Sequence, residues 1–209
     1  MLLAGALALL AVLPVAASPL AHGQPEVPAF RTVGIRFIVA RQGDAPIADR
    51  AWLSERADVA NRIYAPAGVS FRVMRADALE PGHEHIVTRQ DRNVLGSQVA
   101  PDVINVFVVA SLADVDVEGR ALRGVHWRSR LAPSGHYVIL SRICGPTVLA
   151  HELGHFYGNG HSLTPGNIMS YDRGGVEQPF FDVAQIRRIR SFARRFQRTR
   201  ELVPVASPR

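Results

Sequence analysis

Apolar and polar positions first alternate at residues 33–40, where Val33, Ile35, Phe37 and Val39 share one face and predict a β-strand. Asp44, Ala45 and Pro46 mark a turn. The period then changes. Over residues 47–64, Ala48, Trp52, Val59 and Ile63 fall on one stripe of a helix, which Pro66 stops. Alternation returns at 69–74, so the chain opens as a β-α-β unit with a parallel pair of strands. Residues 77–101 are polar and carry no readable period. Residues 103–110 are apolar except for Asn105, the pattern of a strand buried on both faces. An edge strand at 124–127 and a last strand at 136–140 follow. Gly145 and Pro146 open another helix, with Pro146 suited to its first position. Farther on, Asp182 and Gln185 have the spacing of a capping box, and Ile186, Ile189 and Phe196 give the final helix an apolar stripe. The expectation is an α+β domain whose mixed, twisted sheet is backed by a helix.

The ends read differently. Residues 2–15 are apolar, and Val15, Ala16 and Ala17 supply small residues for cleavage, so 1–17 is expected to be an export signal. It falls short of the ~20 residues that span a bilayer comfortably. No Arg or Lys precedes the apolar run, and an uncleaved N-terminal anchor is the alternative. Export places the protein in the periplasm or outside the cell. Residues 18–31, rich in Pro, Ala and Gly, read as a flexible lead-in, and 201–209 as a loose tail.

Composition adds few constraints. A chain of 209 residues suffices for one domain with a substantial core. The net charge is +6, and every cationic residue is an arginine. Arg187, Arg188, Arg190, Arg194, Arg195, Arg198 and Arg200 crowd the last helix. They fit the solvated face of that helix, or weak docking to an anionic surface. No nucleic-acid motif accompanies them, and no nucleic-acid partner is expected. Cys144 is the single cysteine, so no intramolecular disulfide can form, and it reads as a buried structural thiol.

The chemistry concentrates between His151 and His161, in His-Glu-Leu-Gly-His-Phe-Tyr-Gly-Asn-Gly-His. His151 and His155, at i and i+4, share one helix face about 6 Å apart along the axis. Two imidazoles so placed can bind one Zn²⁺. Glu152 points elsewhere and can serve a water as general base. Gly158 can take the left-handed conformation that ends a helix, and the turn can return His161 as a third ligand. Three protein ligands leave a position for water, the catalytic arrangement of zinc. A second histidine pair, His83 and His85 around Glu84, reads as exposed loop or as a further metal site.

His151-Glu152-x-x-His155-x-x-Gly158-x-x-His161 resembles the signature of the metzincin zinc endopeptidases. Asn167-Ile168-Met169-Ser170-Tyr171 resembles the methionine turn of that clan. The resemblance implies a zincin fold: an upper subdomain (residues 32–160) with the sheet, a backing helix and the active-site helix, and a small lower subdomain (161–200) with the methionine turn and the final helix. It implies that Met169 forms a floor beneath the histidines, and that the edge strand at 124–127 pairs with an extended protein or peptide substrate. Tyr171 matches a tyrosine of astacins and serralysins that binds zinc or stabilises the transition state; it reads equally as part of the cleft wall. Ser162 after His161 is matrixin-like, whereas Asn167–Tyr171 followed by Phe181-Asp182-x-x-Gln185-x-x-Arg188 is pappalysin-like. The subfamily stays unassigned.

The reading is therefore an exported zinc endopeptidase, with metal ligands His151, His155 and His161, catalytic Glu152 and Tyr171, and supporting Gly158 and Met169. Two other functions fit the sequence. One is a zinc-stabilised binding module without turnover; the other is a basic protein that binds polyanions through its C-terminal arginines.

Overall fold

The computed structural model describes residues 31–205 apart from 133, 134 and 173. The expected export signal at 1–17, the lead-in up to residue 30 and residues 206–209 lie outside the described residues. Five strands form one sheet: β1 (Arg31–Val39), β2 (Val69–Ala78), β3 (Ile104–Val109), β4 (Gly124–Arg128) and β5 (His136–Ser141). Their order is β2-β1-β3-β5-β4. All neighbours are parallel except β4, which runs antiparallel to β5 and forms one edge. The architecture is α+β with a mixed sheet, as the patterning predicts.

The alternation of β1 has a direct physical outcome. Val33, Ile35, Phe37 and Val39 enter a core shared with the helices, while Ile38 enters a second cluster on the opposite face with Phe107, Val109, Tyr137 and Ile139. Each large side chain fully buried in this way contributes about 1.5–3 kcal/mol. Strand β3 is buried along its whole length, which its continuous apolar run requires. Asn105, its one polar residue, is satisfied: its side chain accepts from Ala100 N at 3.0 Å and donates to the carbonyls of Ala100 and Val103 at 2.8 and 3.1 Å.

Helix α1 (Arg50–Tyr64) links β1 to β2. It starts later than residue 47, because Asp49 caps it by accepting from Trp52 N at 2.8 Å. The buried face is also rotated from the expected stripe. Leu53, Ala57, Ala60, Ile63 and Tyr64 are buried, whereas Trp52 and Val59 are half-buried and Trp52 is covered by the Arg56 guanidinium at 3.5 Å.

The unreadable region 77–101 contains a short helix, α2 (Arg89–Val94), and one helical turn, Leu95–Gln98. Thr88 and Asp91 form a reciprocal capping box at the start of α2. Trp127 Nε1 on β4 donates to Asn93 Oδ1 at 2.9 Å, and the Tyr137 hydroxyl donates to the Arg92 carbonyl, so α2 is fastened to the sheet near the edge strand.

Helix α3 (Val148–Phe156) carries the histidine pair. Pro146 is not its first residue, contrary to expectation. Val148 N bonds the Gly145 carbonyl at 3.1 Å, so Pro146 lies in the turn that precedes the helix. Helix α4 (Val183–Arg198) begins with the expected capping box of Asp182 and Gln185. Ile189, Ala193 and Phe196 of α4 join the same core as α3.

The tail beyond α4 departs from the loose end expected at 201–209. Leu202 is buried, Val203 N bonds the Asp102 carbonyl at 3.0 Å, and Val205 N bonds the Thr32 carbonyl at 3.0 Å. An apolar anchor and backbone pairing beside β1 hold residues 202–205 in place.

Candidate metal centre

Local geometry at the end of α3 explains how the three histidines meet. Gly158 has φ +80°. Its N–H bonds the His155 carbonyl at 2.9 Å, and Asn159 N bonds the Gly154 carbonyl at 2.9 Å. This pair of bonds is a Schellman motif, which needs the left-handed residue that glycine adopts without strain. A Cβ at Gly158 would also lie 2.6 Å from Phe192 of α4. The chain therefore reverses here and returns His161 to the face that carries His151 and His155.

The ligand atoms of His151, His155 and His161 lie within 4.8 Å of one another, and no other such cluster of three occurs among the described residues. His155 Nε2 and His161 Nε2 are 3.1 Å apart. His151 Nδ1 lies 2.7 Å from the Ile168 carbonyl, and His155 Nδ1 lies 2.8 Å from the Asn159 carbonyl. A carbonyl can only accept, so both rings carry their proton on Nδ1 and present an Nε2 lone pair. Three such nitrogens suit zinc, whose Zn–N distances of about 2.0–2.1 Å place tetrahedral donors roughly 3.4 Å apart. The residues present fit the ion.

Two further side chains converge on the triad. The Tyr171 hydroxyl is 3.0 Å from His161 Nε2, and the residue is 79% exposed. Tyr171 thus lines the cleft beside the triad with its side chain largely exposed. Glu152 is buried at 6% exposure, and burial pushes its carboxyl up to about 8. The His126 main-chain N–H, on β4, favours the ionised carboxyl and opposes the shift. The cleft of about 930 Å³ runs between β4 and the triad, with Gly124–Trp127 on one side and Gly158–His161 and Tyr171 on the other.

No protein-family model and no curated protein matches the chain. Solved structures do. Archaemetzincin from Methanopyrus kandleri superposes with a TM-score of 0.53 at 16% identity, over 78% of this chain and 96% of that one. Mature mirolysin from Tannerella forsythia, in complex with a cleaved peptide, gives 0.57 at 12% identity, over 84% and 99%. The fold is metzincin-like.

Within the metzincin-like fold, Met169 lies under α3. It is fully buried, and a Cβ on Gly154 would come within 2.2 Å of its sulfur. Glycine at 154 is what lets the methionine pack against the helix backbone. Gly154→Ala is expected to lose about 1 kcal/mol net, since overpacking costs about 1–3 kcal/mol and alanine returns up to ~1 kcal/mol of helix propensity. A melting temperature equal to or above the parent's would show that Met169 can move aside.

Several supporting residues escape sequence reading. Asn167, fully buried, exchanges bonds with Gln185 of α4 at 2.8 and 3.2 Å and accepts from Met169 N at 2.8 Å. This ties the methionine turn, whose Ile168 carbonyl orients His151, to α4. Gly124 is another. A Cβ there would lie 2.7 Å from Val148 Cγ1 and 3.1 Å from Glu152 Oε1. Only glycine lets the edge strand run this close to the carboxylate. His83 and His85 are not drawn into a metal cluster; His85 Nδ1 instead lies 2.8 Å from Ser111 Oγ. Of the α4 arginines, Arg190 bonds the carbonyls of Pro66 and Ala67 at 2.8 and 3.3 Å, while Arg187, Arg188, Arg194, Arg195 and Arg198 are exposed, as is Arg200 just beyond the helix.

Proposed function

We propose that the protein is a zinc-dependent endopeptidase that cleaves extended peptides by adding water to the scissile carbonyl, without a covalent intermediate. The observation that carries this reading is the convergence of Glu152, the three histidines and Tyr171 on one cleft, beside a sheet edge open to strand pairing. A pure binding site has no use for a buried carboxylate held against the edge strand. The folds of archaemetzincin and mirolysin support the same reading.

His151, His155 and His161 would hold the zinc through Nε2. When bound, the ion supplies Lewis-acid charge that polarises the scissile carbonyl and acidifies a water. Glu152 takes the proton of the attacking water on its carboxylate as the water oxygen bonds to the carbonyl carbon. It then delivers that proton to the leaving amine nitrogen as the C–N bond breaks. The exposed Tyr171 hydroxyl, positioned over His161, donates to the oxyanion that develops on the carbonyl oxygen. Among the described residues strand β4 has a neighbouring strand on one side only, so main-chain groups on its outer side can pair with an extended substrate.

Residues 1–17 would direct the protein to the periplasm or the exterior. The exposed α4 arginines would add weak, salt-sensitive docking to anionic surfaces.

The direct test is cleavage of a peptide library by the purified protein, followed by mass spectrometry with and without a chelator. Cleavage abolished by the chelator and restored by zinc is expected; chelator-insensitive cleavage would contradict the proposal. For Tyr171, Tyr171→Phe is expected to lower kcat by about 10²-fold with little change in KM, the pattern of a lost transition-state donor. An unchanged kcat would reduce Tyr171 to a surface residue of the cleft.

A further inference from the structure

A second set of titratable side chains lies end to end beside the cleft, and the reaction above uses none of them. His126 Nε2 on β4 is 2.8 Å from His136 Nδ1 on β5. His136 Nε2 is 2.5 Å from Glu201 Oε1, just beyond α4. His136 is buried. Its ring stacks on Phe156 at the end of α3, with centroids 3.9 Å apart and planes at 14°, and it meets Phe196 of α4 at 5.7 Å. The edge strand, the inner strand, the helix bearing the histidine pair and the C-terminal segment are thus joined at one point.

The chemistry sets an order of protons. An ionised carboxylate can only accept, so Glu201 holds the His136 proton on Nε2. With a single proton on His136, its Nδ1 is the acceptor and His126 donates from its own Nε2. Burial, with the neighbouring His136, Arg128 and His155 adding to it, lowers His126 to about 3 and keeps it neutral. Reversing the His136 tautomer would set its Nε2 lone pair against the Glu201 carboxylate, two acceptors with no proton between them.

The chain matters because of what else His126 does. Its main-chain N–H favours the ionised Glu152 carboxyl, and Gly124 of the same strand abuts Glu152, where a Cβ would lie 3.1 Å from Oε1. Among the described residues strand β4 is an edge paired only with β5, and an edge strand is the part of a sheet most free to open.

We propose that His136, oriented by Glu201, is a positioning residue: it anchors His126 and so holds the edge strand where its N–H meets the Glu152 carboxylate. The kinetic consequence rests on the endopeptidase reading, whereas the proton order does not. The C-terminal segment, far from the metal centre in sequence, becomes part of the apparatus that sets the base.

Two variants and one spectrum test it. Glu201→Leu removes the acceptor and keeps the bulk, while Glu201→Gln keeps an acceptor oxygen. Glu201→Leu is expected to lower kcat about tenfold or more, since small misplacements of reacting groups carry penalties of this size. KM should stay within about twofold, and the bound zinc should be unchanged. Glu201→Gln should retain most of the parent kcat. Imidazole nitrogen NMR of the zinc-free parent should show His136 and His126 each protonated at Nε2 alone, and Glu201→Leu should move the His136 proton toward Nδ1. A parent with His136 protonated at Nδ1 or at both nitrogens would overturn the proposal. So would equal kcat in Glu201→Leu and a cleaving parent, or equal losses in the two variants. The readings fail separately: a parent that cleaves nothing removes the endopeptidase reading, while the spectra decide the orientation of His136 with no substrate present.

Discussion

Replacing Glu152 by glutamine is expected to leave zinc binding at the parent level and to reduce peptide cleavage by about 10²–10⁴-fold, the usual contribution of a general base. The substitution is nearly isosteric. The neutral amide suits the buried position, which is 6% exposed. Fold and metal site should therefore survive, and the loss should lie in the proton transfer alone. Activity assays beside a zinc determination on the same sample provide the check. Unimpaired cleavage would remove Glu152 from the chemistry. Loss of zinc together with activity would mean that the carboxylate supports the metal site and not the water.

The second large effect concerns the third ligand. His161→Ala is expected to weaken zinc by more than ~100-fold, since even partners of a ligand cost 10–100-fold when lost. His161 is the ligand least committed to the fold. It is exposed, outside any helix, and its ring contacts are with the other two histidines and Tyr171. In chelated buffer its variant should melt with the parent, whereas in zinc the parent should gain stability that the variant lacks. Competition with a coloured chelator measures the affinity directly. Parent-like retention of zinc would leave His151 and His155 as the whole site.

The reach of the sequence differs from element to element. The histidine spacing is a local property of one helix and one turn, so the triad and the role of Gly158 were readable from eleven consecutive residues. The same holds for β1, with its strict alternation, and for the capping box at Asp182 and Gln185. Helix α2 escaped because six residues are too few for a helical period to stand out. Its Thr88-x-x-Asp91 cap was the one signal available. The displaced start of α3 reflects Pro146 serving a turn, a position that also suits proline. The Gly124 contact with Glu152, the Asn167–Gln185 pair and the His126–His136–Glu201 chain depend on which distant segments meet. No periodicity encodes such meetings. Glu201 in particular lay in a segment read as a loose tail, and only the burial of Leu202 and the pairing beside β1 bring it to His136.

The central claim is that one zinc at the triad and the Glu152 base together cleave peptides. The measurement that tests it most directly is cleavage rate against added zinc, starting from metal-free protein. The account predicts a linear rise that ends at one equivalent of zinc per chain, and a flat line for Glu152→Gln at the same zinc occupancy. Cleavage by the metal-free protein, or none at full occupancy of the triad, would contradict it.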